Sequence, residues 1–216
     1  MSPSSEVSIP PGAPPLSGLR RELRAARRGL PLHEQRLHAA ALTRLLGRDP
    51  RYLRARRLAG YWAADGELDA RPLLEVAIKR GRHAFLPVLR VGKRNQLWFI
   101  RYRPGEPMRL NRFGIPEPRR RQRRFALPWT LDLILVPLVG FDDACNRLGM
   151  GGGFYDRTLA FLGHRQHWRR PRLIGIAHEC QRVDRLAPRP WDLPLDAVAT
   201  ERRLYPGRPA FTRRSA

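Results

Sequence analysis

The sequence predicts an α/β protein with a largely parallel sheet covered by helices. Short apolar runs alternate with longer segments of helical periodicity along most of the chain. Residues 58–89 hold a strand–helix–strand succession of about 32 residues, which is the length of a βαβ unit. Residues 131–139 are almost entirely aliphatic, as is typical of a strand buried on both faces. Together these patterns favour strands joined by helical crossovers.

The amino-terminal part predicts a tail followed by a helix. Residues 1–15 contain five prolines with Ser and Gly, so we expect a flexible tail. A helix is expected from Ser17 to its end at Gly29, with Leu19 and Leu23 on an apolar stripe. The opposite, basic face is formed by Arg20, Arg24, Arg27 and Arg28.

A second helix is predicted over residues 33–46, with a buried stripe of Leu37, Ala40, Ala41 and Leu45. A strand follows over 58–63, then a helix over 70–80, which Gly81 ends in the left-handed conformation. Residues 83–89 predict the next strand. The alternation in 96–102 predicts an antiparallel or edge strand.

The carboxyl-terminal half continues the same alternation. The strand at 131–139 is expected at the centre of the sheet, followed by a helix over 154–162 and strands over 172–177 and 197–199. We find no internal repeat and expect one structural unit. Residues 16–205 are assigned to this domain and 206–216 to a basic C-terminal tail.

The charge is strongly positive, with 42 Lys plus Arg against 19 Asp plus Glu, a formal net charge of +23. Such a surface attracts phosphates. However, all the basic residues except Lys79 and Lys93 are arginine, which indicates genome composition as much as a binding requirement. The basic run 119–124 lacks the interleaved aromatics of single-strand binders. We therefore expect a solvated loop there, no specific nucleic-acid partner, and attraction of smaller anions.

Cysteine content and hydropathy restrict the cellular setting. Cys145 and Cys180 are the only cysteines, which excludes a disulfide framework and a four-cysteine zinc site. No run approaches 18 apolar residues, and no basic residue precedes Arg20, so neither a membrane span nor a secretory signal is expected. The sequence predicts a cytoplasmic monomer without a membrane partner.

A glycine-rich segment follows the aliphatic strand. Four of the five residues 149–153 are glycine, which lets backbone amides approach an anion closely, and the predicted helix after them directs its amino-terminal dipole at the same point. This pattern predicts a phosphate cradle, with a glycine-rich linker as the alternative. The segment is neither a Walker A loop, because Lys followed by Ser or Thr is missing, nor GxGxxG, because Phe154 replaces the last glycine.

Residues 133–159, which contain VPLVGFD and NRLGMGGGFYDRTL, resemble the 5-formyltetrahydrofolate cyclo-ligase family, also called methenyltetrahydrofolate synthetases. Further pieces agree in order and spacing over roughly residues 16–205. They are Leu19-Arg20 with Leu23-Arg24 and Arg28, GELD at 66–69, FGIPEP at 113–118, and WDLPLDAV at 191–198.

The resemblance implies a single three-layer α/β domain that binds ATP, magnesium and a formylated folate in one cleft. ATP contacts would come from Arg20, Arg147, Leu148, Gly149, Met150, Gly151, Gly152, Gly153, Phe154 and Tyr155. Arg147 and Tyr155 would act in catalysis, since the Arg147 guanidinium can bridge phosphate oxygens. For Arg24 and Arg28 we favour a solvated face.

The same resemblance implies that Asp156 and Asp192 hold Mg²⁺, which prefers carboxylate oxygens. The formylated folate would contact Trp62, Glu67 and the residues Met150, Gly151, Gly152, Gly153 and Phe154. Trp62, on the predicted strand, could instead be a core aromatic. Two positions depart from the family pattern, because Leu16 and Met150 stand where many members have a basic residue.

The expected function is ATP- and Mg²⁺-dependent cyclisation of 5-formyltetrahydrofolate to 5,10-methenyltetrahydrofolate, with release of ADP and phosphate. Two alternatives remain at this point. One is a basic RNA-binding protein, whose affinity would fall steeply with salt. The other is another phosphate-ligand α/β enzyme such as a sugar-phosphate isomerase, which would turn over without ATP. The six histidines show no metal-ligand spacing and receive no role.

Overall fold

The computed structural model describes residues 16–90, 92, 95–119, 125–164, 171–189 and 192–207. Its α-helices within this part of the chain are α1 (Leu16–Arg28), α2 (Leu32–Leu46), α3 (Pro50–Arg54), α4 (Arg71–Lys79) and α5 (Phe154–Leu159). Its strands are β1 (Arg57–Ala59), β2 (His83–Leu89), β3 (Leu97–Tyr102), β4 (Met108–Leu110), β5 (Pro116–Pro118), β6 (Phe125–Ala126), β7 (Leu133–Pro137), β8 (Gly140–Phe141), β9 (Arg147–Leu148), β10 (Arg172–Ile176), β11 (Ala197–Ala199) and β12 (Leu204–Pro206). The expected N-terminal tail, most of the basic run and most of the C-terminal tail lie outside the described residues.

The main sheet has eight strands in the order β12-β11-β10-β7-β1-β2-β3-β6. Strands β11, β10, β7, β1 and β2 run parallel to one another. Strands β12, β3 and β6 add to the two sides in antiparallel orientation. The prediction of a largely parallel α/β sheet is therefore confirmed, including the antiparallel placement of residues 97–102.

The central strand β7 explains the continuous aliphatic run. Leu133 and Leu135 pack into a cluster that includes residues of α2 and α4. Ile134 and Val136 belong to a second cluster, which includes Leu159 of α5. Because successive side chains of a strand point to opposite faces, apolar residues are required at every position when helices cover both sides.

The buried stripe of α2 differs from the predicted one. Ala39, Leu42 and Leu46 are buried, whereas Leu37 is 64% exposed and Ala40 is also exposed. The segment is apolar over much of its circumference, so its periodicity fits more than one stripe. Packing against the sheet determines which side of α2 is buried, and the sequence of the helix alone does not specify that side.

Two predicted boundaries are wrong. Strand β1 ends at Ala59, so Trp62 lies in the loop beyond the strand and not on it. Helix α5 ends at Leu159 and continues as a 3-10 turn over Ala160–His164, where the sequence predicted a helix to 162. A six-residue helix has a smaller dipole than the predicted one, so it contributes less to an anion site.

Several short elements were not predicted. They are α3, the hairpin of β4 with β5, the hairpin of β8 with β9, and the edge strands β6 and β12. Runs of two to five residues carry too little periodicity to be recognised. Among the described residues, no helix combines the length and apolar character that a membrane crossing requires.

Candidate active site

The glycine segment lies beyond the carboxyl end of β7, at the centre of the parallel strands. The chain leaves β7, forms the hairpin of β8 and β9, and then enters Gly149–Gly153 and α5. Asp142 organises the hairpin turn, since its carboxylate accepts the N–H of Asn146 at 2.9 Å and of Leu186 at 2.9 Å. Ligands of parallel α/β sheets bind at this edge.

Glycine is required at three positions of this loop. Gly151 and Gly153 have φ of +90° and +64°, in the region that side chains disfavour. A Cβ on Gly152 would lie 2.9 Å from the ring of Phe154, and one on Gly153 would lie 2.7 Å from Arg157 Nη1. The loop is a built turn, further held by Asn95, whose amide donates to the Gly152 carbonyl at 2.9 Å.

Arg20 reaches the glycine loop from α1. Its Nε donates to the Gly149 carbonyl at 2.8 Å, and its guanidinium carbon lies 3.8 Å from where a Cβ of Gly151 would stand. Burial, with the charge of Arg189, lowers the pKa of Arg20 from its usual value. Two cations therefore lie near the loop and favour an anionic ligand.

Arg147 connects Asp156 to the segment that carries Asp192, without contacting the Asp192 side chain. Its guanidinium donates to the carboxylate of Asp156 and to the carbonyl of Leu193, the residue after Asp192. The Arg147 side chain is 8% exposed. The Asp192 carboxylate accepts the N–H of Arg189 at 2.9 Å, within its own turn. Segments 36 residues apart, at 156 and 192, thus meet at one guanidinium.

The Glu67 side chain is 16% exposed and lies beside Arg27 of α1. Its Oε2 accepts the N–H of Ala64 at 3.1 Å, and its Oε1 lies 3.7 Å from Arg27 Nη2. Burial raises the pKa of Glu67 to about 7, while the nearby Arg27 guanidinium opposes the rise. The carboxyl therefore titrates near neutral pH, as is common for groups in functional sites.

Tyr155, which follows the glycine loop, lies close enough to Glu67 to be affected by its charge. Burial and the charge of Glu67 raise the pKa of the Tyr155 phenol above its usual value. The same causes raise the pKa of Tyr61, whose hydroxyl donates to the carbonyl of Leu68. Because the Tyr61 hydroxyl already donates to Leu68, Tyr155 is the phenol that can offer its proton beside the Glu67 carboxyl group.

Trp62 is not brought into contact with the loop by any interaction of the described residues. Its ring packs edge-on against Tyr102 at 6.3 Å between centroids, and the Arg71 guanidinium lies over it at 4.5 Å. Trp62 is half-buried against the core cluster of α2 and α4. Its exposed part is available to a ligand, while the contacts present are those of a packed aromatic.

The motif at 113–118 reaches the loop through one aromatic contact. Phe113 packs edge-on against Phe154, with ring centroids 5.9 Å apart. Glu117 has a different part, since its buried carboxylate accepts the N–H of Leu89 at 3.2 Å and pairs with Arg109 at 2.7 Å. Glu117 therefore fixes the β4–β5 hairpin to β2, and Phe113 forms a wall of the site.

The sequence analysis missed Arg27 and Asp65. It placed Arg27 on a basic face, but the side chain is 1% exposed and donates to the carboxylate of Asp65 at 2.8 Å and to the Leu138 carbonyl at 3.1 Å. A signal existed, because Arg27 lies four residues after Leu23 on the apolar stripe of α1. The prediction of a basic face is wrong at this position.

The Asp65 carboxylate forms ion pairs with three arginines of α1. Arg24 and Arg28 also pair with its carboxylate, so they are ion-paired and not merely solvated. Burial favours the neutral acid, but hydrogen bonds from Arg24, Arg28 and Arg27 outweigh it and hold the pKa of Asp65 at about 2. This cluster fixes the turn that carries Glu67.

A central parallel sheet with an ordered, arginine-lined glycine loop beyond its strand ends defines an α/β protein of the class that binds phosphate-bearing ligands. Residues 16–201 match the sequence profile of the 5-formyltetrahydrofolate cyclo-ligase family. The chain belongs to this family, as its sequence motifs predicted.

Individual relatives agree with this assignment. The chain is 38% identical over 186 residues to the 5-formyltetrahydrofolate cyclo-ligase of Escherichia coli K12, covering 85% of this chain and 98% of the relative. It is 41% identical over 143 residues to the Haemophilus influenzae enzyme, covering 65% and 73%. The solved structure of Aquifex aeolicus 5,10-methenyltetrahydrofolate synthetase superimposes with a TM-score of 0.74 at 29% identity, covering 93% and 96%.

The raised pKa of Glu67 predicts a pH-dependent stability. The unfolded chain loses this proton near pH 4.5, whereas the folded protein keeps it until about pH 7. Ionisation of Glu67 therefore destabilises the fold, and its effect is to lower the free energy of unfolding as the pH rises from 4.5 to 7. In Glu67→Gln, we expect that decline to be reduced, as measured by urea unfolding across this range. The exposed Glu22→Gln should follow the wild type, and an identical profile for Glu67→Gln would contradict the assignment.

Proposed function

We propose that this protein binds ATP at the glycine loop and a formylated folate against Glu67, and closes 5-formyltetrahydrofolate to 5,10-methenyltetrahydrofolate with release of ADP and phosphate. It is an ATP-dependent ligase of the cyclo-ligase family. The observation that carries the assignment of the site is the convergence of Arg20, Arg147 and Tyr155 on one loop, with Tyr155 in the electrostatic field of Glu67.

The proposed triphosphate site is formed by residues 147–155 and Arg20. The position of a Cβ at Gly149 is open, with nothing within 4 Å, so a ligand can approach the backbone there. Arg20 and Arg147 supply guanidinium forks, which bind phosphate oxygens in pairs. The Arg20 side chain donates to the Gly149 carbonyl, so it would need only to shift toward the phosphates when ATP binds.

Asp156 and Asp192 fit a magnesium ion. Both offer hard carboxylate oxygens, and Mg²⁺ usually takes one or two protein carboxylates and keeps several waters. Asp156 is 29% exposed at its side chain, so water can complete the shell. When bound, the ion would neutralise phosphate charge. Arg147, which pairs with Asp156 in the absence of ligand, would then be free to contact the nucleotide.

The pterin of the folate is proposed to meet Glu67. An amino group and a ring nitrogen present two adjacent donors, which match the two oxygens of a carboxylate. Tyr155 and Phe154 from the loop and Phe113 from the β4–β5 hairpin would enclose the substrate. Trp62 is proposed to contact it through the exposed part of its ring.

The proposed reaction needs no covalent bond to the protein. The formyl oxygen attacks the γ-phosphorus and ADP leaves. Nitrogen 10 then adds to the activated carbon and releases its proton to solvent, and phosphate leaves as the methenyl bridge forms. The protein contributes alignment, together with stabilisation of negative charge by Arg147, Arg20 and the loop amides. Cys145 is buried, and burial raises its pKa to about 11, so it is no nucleophile.

The two alternative functions receive no support from the relatives described above, which are cyclo-ligases or methenyltetrahydrofolate synthetases. One assay tests the proposal directly. Formation of the methenyl product is followed by absorbance, with ATP and Mg²⁺ present, each omitted, and Mg²⁺ chelated. We expect product only with both. Enzyme-dependent product without ATP, or absence of product in all arms, would contradict the proposal.

Met150 tests the triphosphate assignment. Its side chain is 55% exposed, so an arginine fits without displacing the core. We expect Met150→Arg to fold normally and to lower the KM for ATP by about 10-fold or more, since a charge-assisted hydrogen bond contributes roughly 1.5–3 kcal/mol. Leu32→Arg, at another exposed position, controls for the added charge.

The competing expectation is that Met150 packs against the folate as a flexible apolar surface. Met150→Arg would then raise the KM for the folate instead. Both Michaelis constants are measured for the purified variants. Unchanged values for both substrates would show that Met150 faces neither, and the assignment of residues 147–155 would have to be revised.

A further inference from the structure

Within the described residues, a cluster of metal-ligating side chains lies outside the proposed active site. It consists of His38 on α2, His178 two residues beyond β10, and Glu201 two residues beyond β11. One nitrogen of each imidazole and one carboxylate oxygen lie within 4.8 Å of one another. Strands β10 and β11 are parallel neighbours, so their carboxyl ends bring His178 and Glu201 together.

The two imidazoles form a pair that leaves a buried atom unsatisfied. Their Nδ1 atoms are 2.9 Å apart, and only one proton can lie between them. His178 is fully buried, and its Nε2 has no hydrogen-bond partner. If the neutral ring carries its proton on Nε2, that donor lacks an acceptor. If the proton is on Nδ1, Nε2 is an acceptor that lacks a donor. The hydrogen bond between the two Nδ1 atoms therefore does not satisfy Nε2, which lies on the other side of the His178 ring.

Glu201 is held in place beside the imidazoles. Its Oε2 accepts the N–H of Glu179 at 3.0 Å, and its Oε1 lies 3.9 Å from His38 Nε2. The Glu201 side chain is 9% exposed. Arg202 also lies 3.9 Å from Oε1, but its side chain is 72% exposed, so a cation can replace it at little cost. The backbone hydrogen bond orients the carboxylate as outer partners of metal ligands do.

We propose that His38, His178 and Glu201 bind a divalent transition-metal ion of the Zn²⁺ type. Two imidazoles and one carboxylate are a common ligand set for such ions, and a water can take the remaining position through the exposed side of His38. With bonds of about 2.0–2.2 Å, ligand atoms of a tetrahedral site are about 3.3–3.5 Å apart. The Nδ1 atoms of the two imidazoles are 2.9 Å apart and would separate slightly on binding an ion. The Glu201 carboxylate, whose ligand atom lies within 4.8 Å of the imidazole ligand atoms, would move toward them.

The ligand chemistry separates this site from the proposed magnesium site. Mg²⁺ prefers oxygen ligands and binds imidazole poorly, whereas Zn²⁺ binds imidazole well. An ion here would connect His38 on α2 to His178, which is 140 residues further along the chain, and to Glu201 beyond it. Binding to the folded state alone would raise the unfolding temperature.

The test is metal binding to the whole chain after removal of metals with a chelator. Equilibrium dialysis against Zn²⁺ in excess Mg²⁺ should detect one bound Zn²⁺ ion, and its binding should depend on the two imidazoles. His38→Ala and Glu201→Gln should each weaken its binding by roughly 100-fold or more and remove the Zn²⁺-dependent rise in Tm. His33→Ala, an exposed histidine on the same helix, should leave both unchanged.

Two further measurements keep the result decisive. Circular dichroism of the metal-free variants checks that they fold, which His38→Ala should do because its side chain is 23% exposed. Co²⁺ added to the wild type should give the visible absorption bands of a low-coordinate site with nitrogen ligands. Absence of these bands, or Zn²⁺ binding that both variants retain, would overturn the proposal. Cyclisation is not part of the readout, so a failure of the proposed function would not affect the outcome.

Discussion

Replacement of Asp156 by Asn is expected to leave the protein folded and to reduce its cyclisation rate by about 100- to 1,000-fold, the usual range for loss of one charge-stabilising group. An amide is a poorer ligand for Mg²⁺ than a carboxylate. The substitution also removes the charge that holds Arg147. Because the Arg147 side chain is only 8% exposed, the loss of its partner should also reduce the free energy of unfolding, by up to about 3–5 kcal/mol.

The measurement is the initial rate across a Mg²⁺ titration, with thermal unfolding in parallel. Asp143→Asn is the matched control, because this nearby carboxylate is 65% exposed and pairs with Arg182 on the surface. The control should keep the wild-type rate and Mg²⁺ dependence. A wild-type rate for Asp156→Asn at ordinary Mg²⁺ would remove Asp156 from the site.

The largest stability effect is expected from Arg27→Met. The substitution keeps much of the side-chain volume but leaves the carbonyls of Asp65 and Leu138 without this donor, and Glu67 without a neighbouring cation. Removal of one partner from a buried ion pair typically destabilises a protein by about 3–5 kcal/mol. We expect the free energy of unfolding of Arg27→Met, measured in urea, to be lower than that of the wild type by an amount in this range.

Arg28→Met provides the matched control. Arg28 pairs with the same carboxylate, but its side chain is 52% exposed, so its loss should reduce the free energy of unfolding by only about 0–1 kcal/mol. Equal effects of the two substitutions would show that the buried part of the cluster has no special weight. If Arg27→Met is unfolded in buffer alone, a stabilising osmolyte is added, and the unfolding midpoints of the wild type and both variants are compared in that solution.

The sheet and the glycine loop were predictable because each follows from a local pattern. In β7 both faces are buried, so apolar residues occupy successive positions and the run is visible without tertiary information. In the loop, Gly151 and Gly153 adopt positive φ, which the residue type itself indicates. The ordered motifs were also sufficient to predict the family.

Other features depend on contacts that no local pattern encodes. The spacing of Arg27 from Leu23 indicates the packed side of α1, but its charge favours solvent, and only the contact with Asp65 makes its burial possible. His38, His178 and Glu201 are separated by long stretches of chain, so spacing rules could not group them. The stripe of α2 is set by the sheet surface that receives it. These errors arise where tertiary packing selects among equally plausible local arrangements.

The docking of α1 has a consequence for synthesis of the chain. This helix leaves the ribosome before the segments it packs against, because Arg27 bonds the carbonyl of Leu138 and Arg20 that of Gly149, which are 111 and 129 residues further on. Strand β7 likewise gains its neighbour β10 only later in synthesis. Contacts of such sequence separation form late. The apolar stripe of α1 therefore stays uncovered until residue 149 has been synthesised, and nascent chains that end before residue 138 are expected to be aggregation-prone.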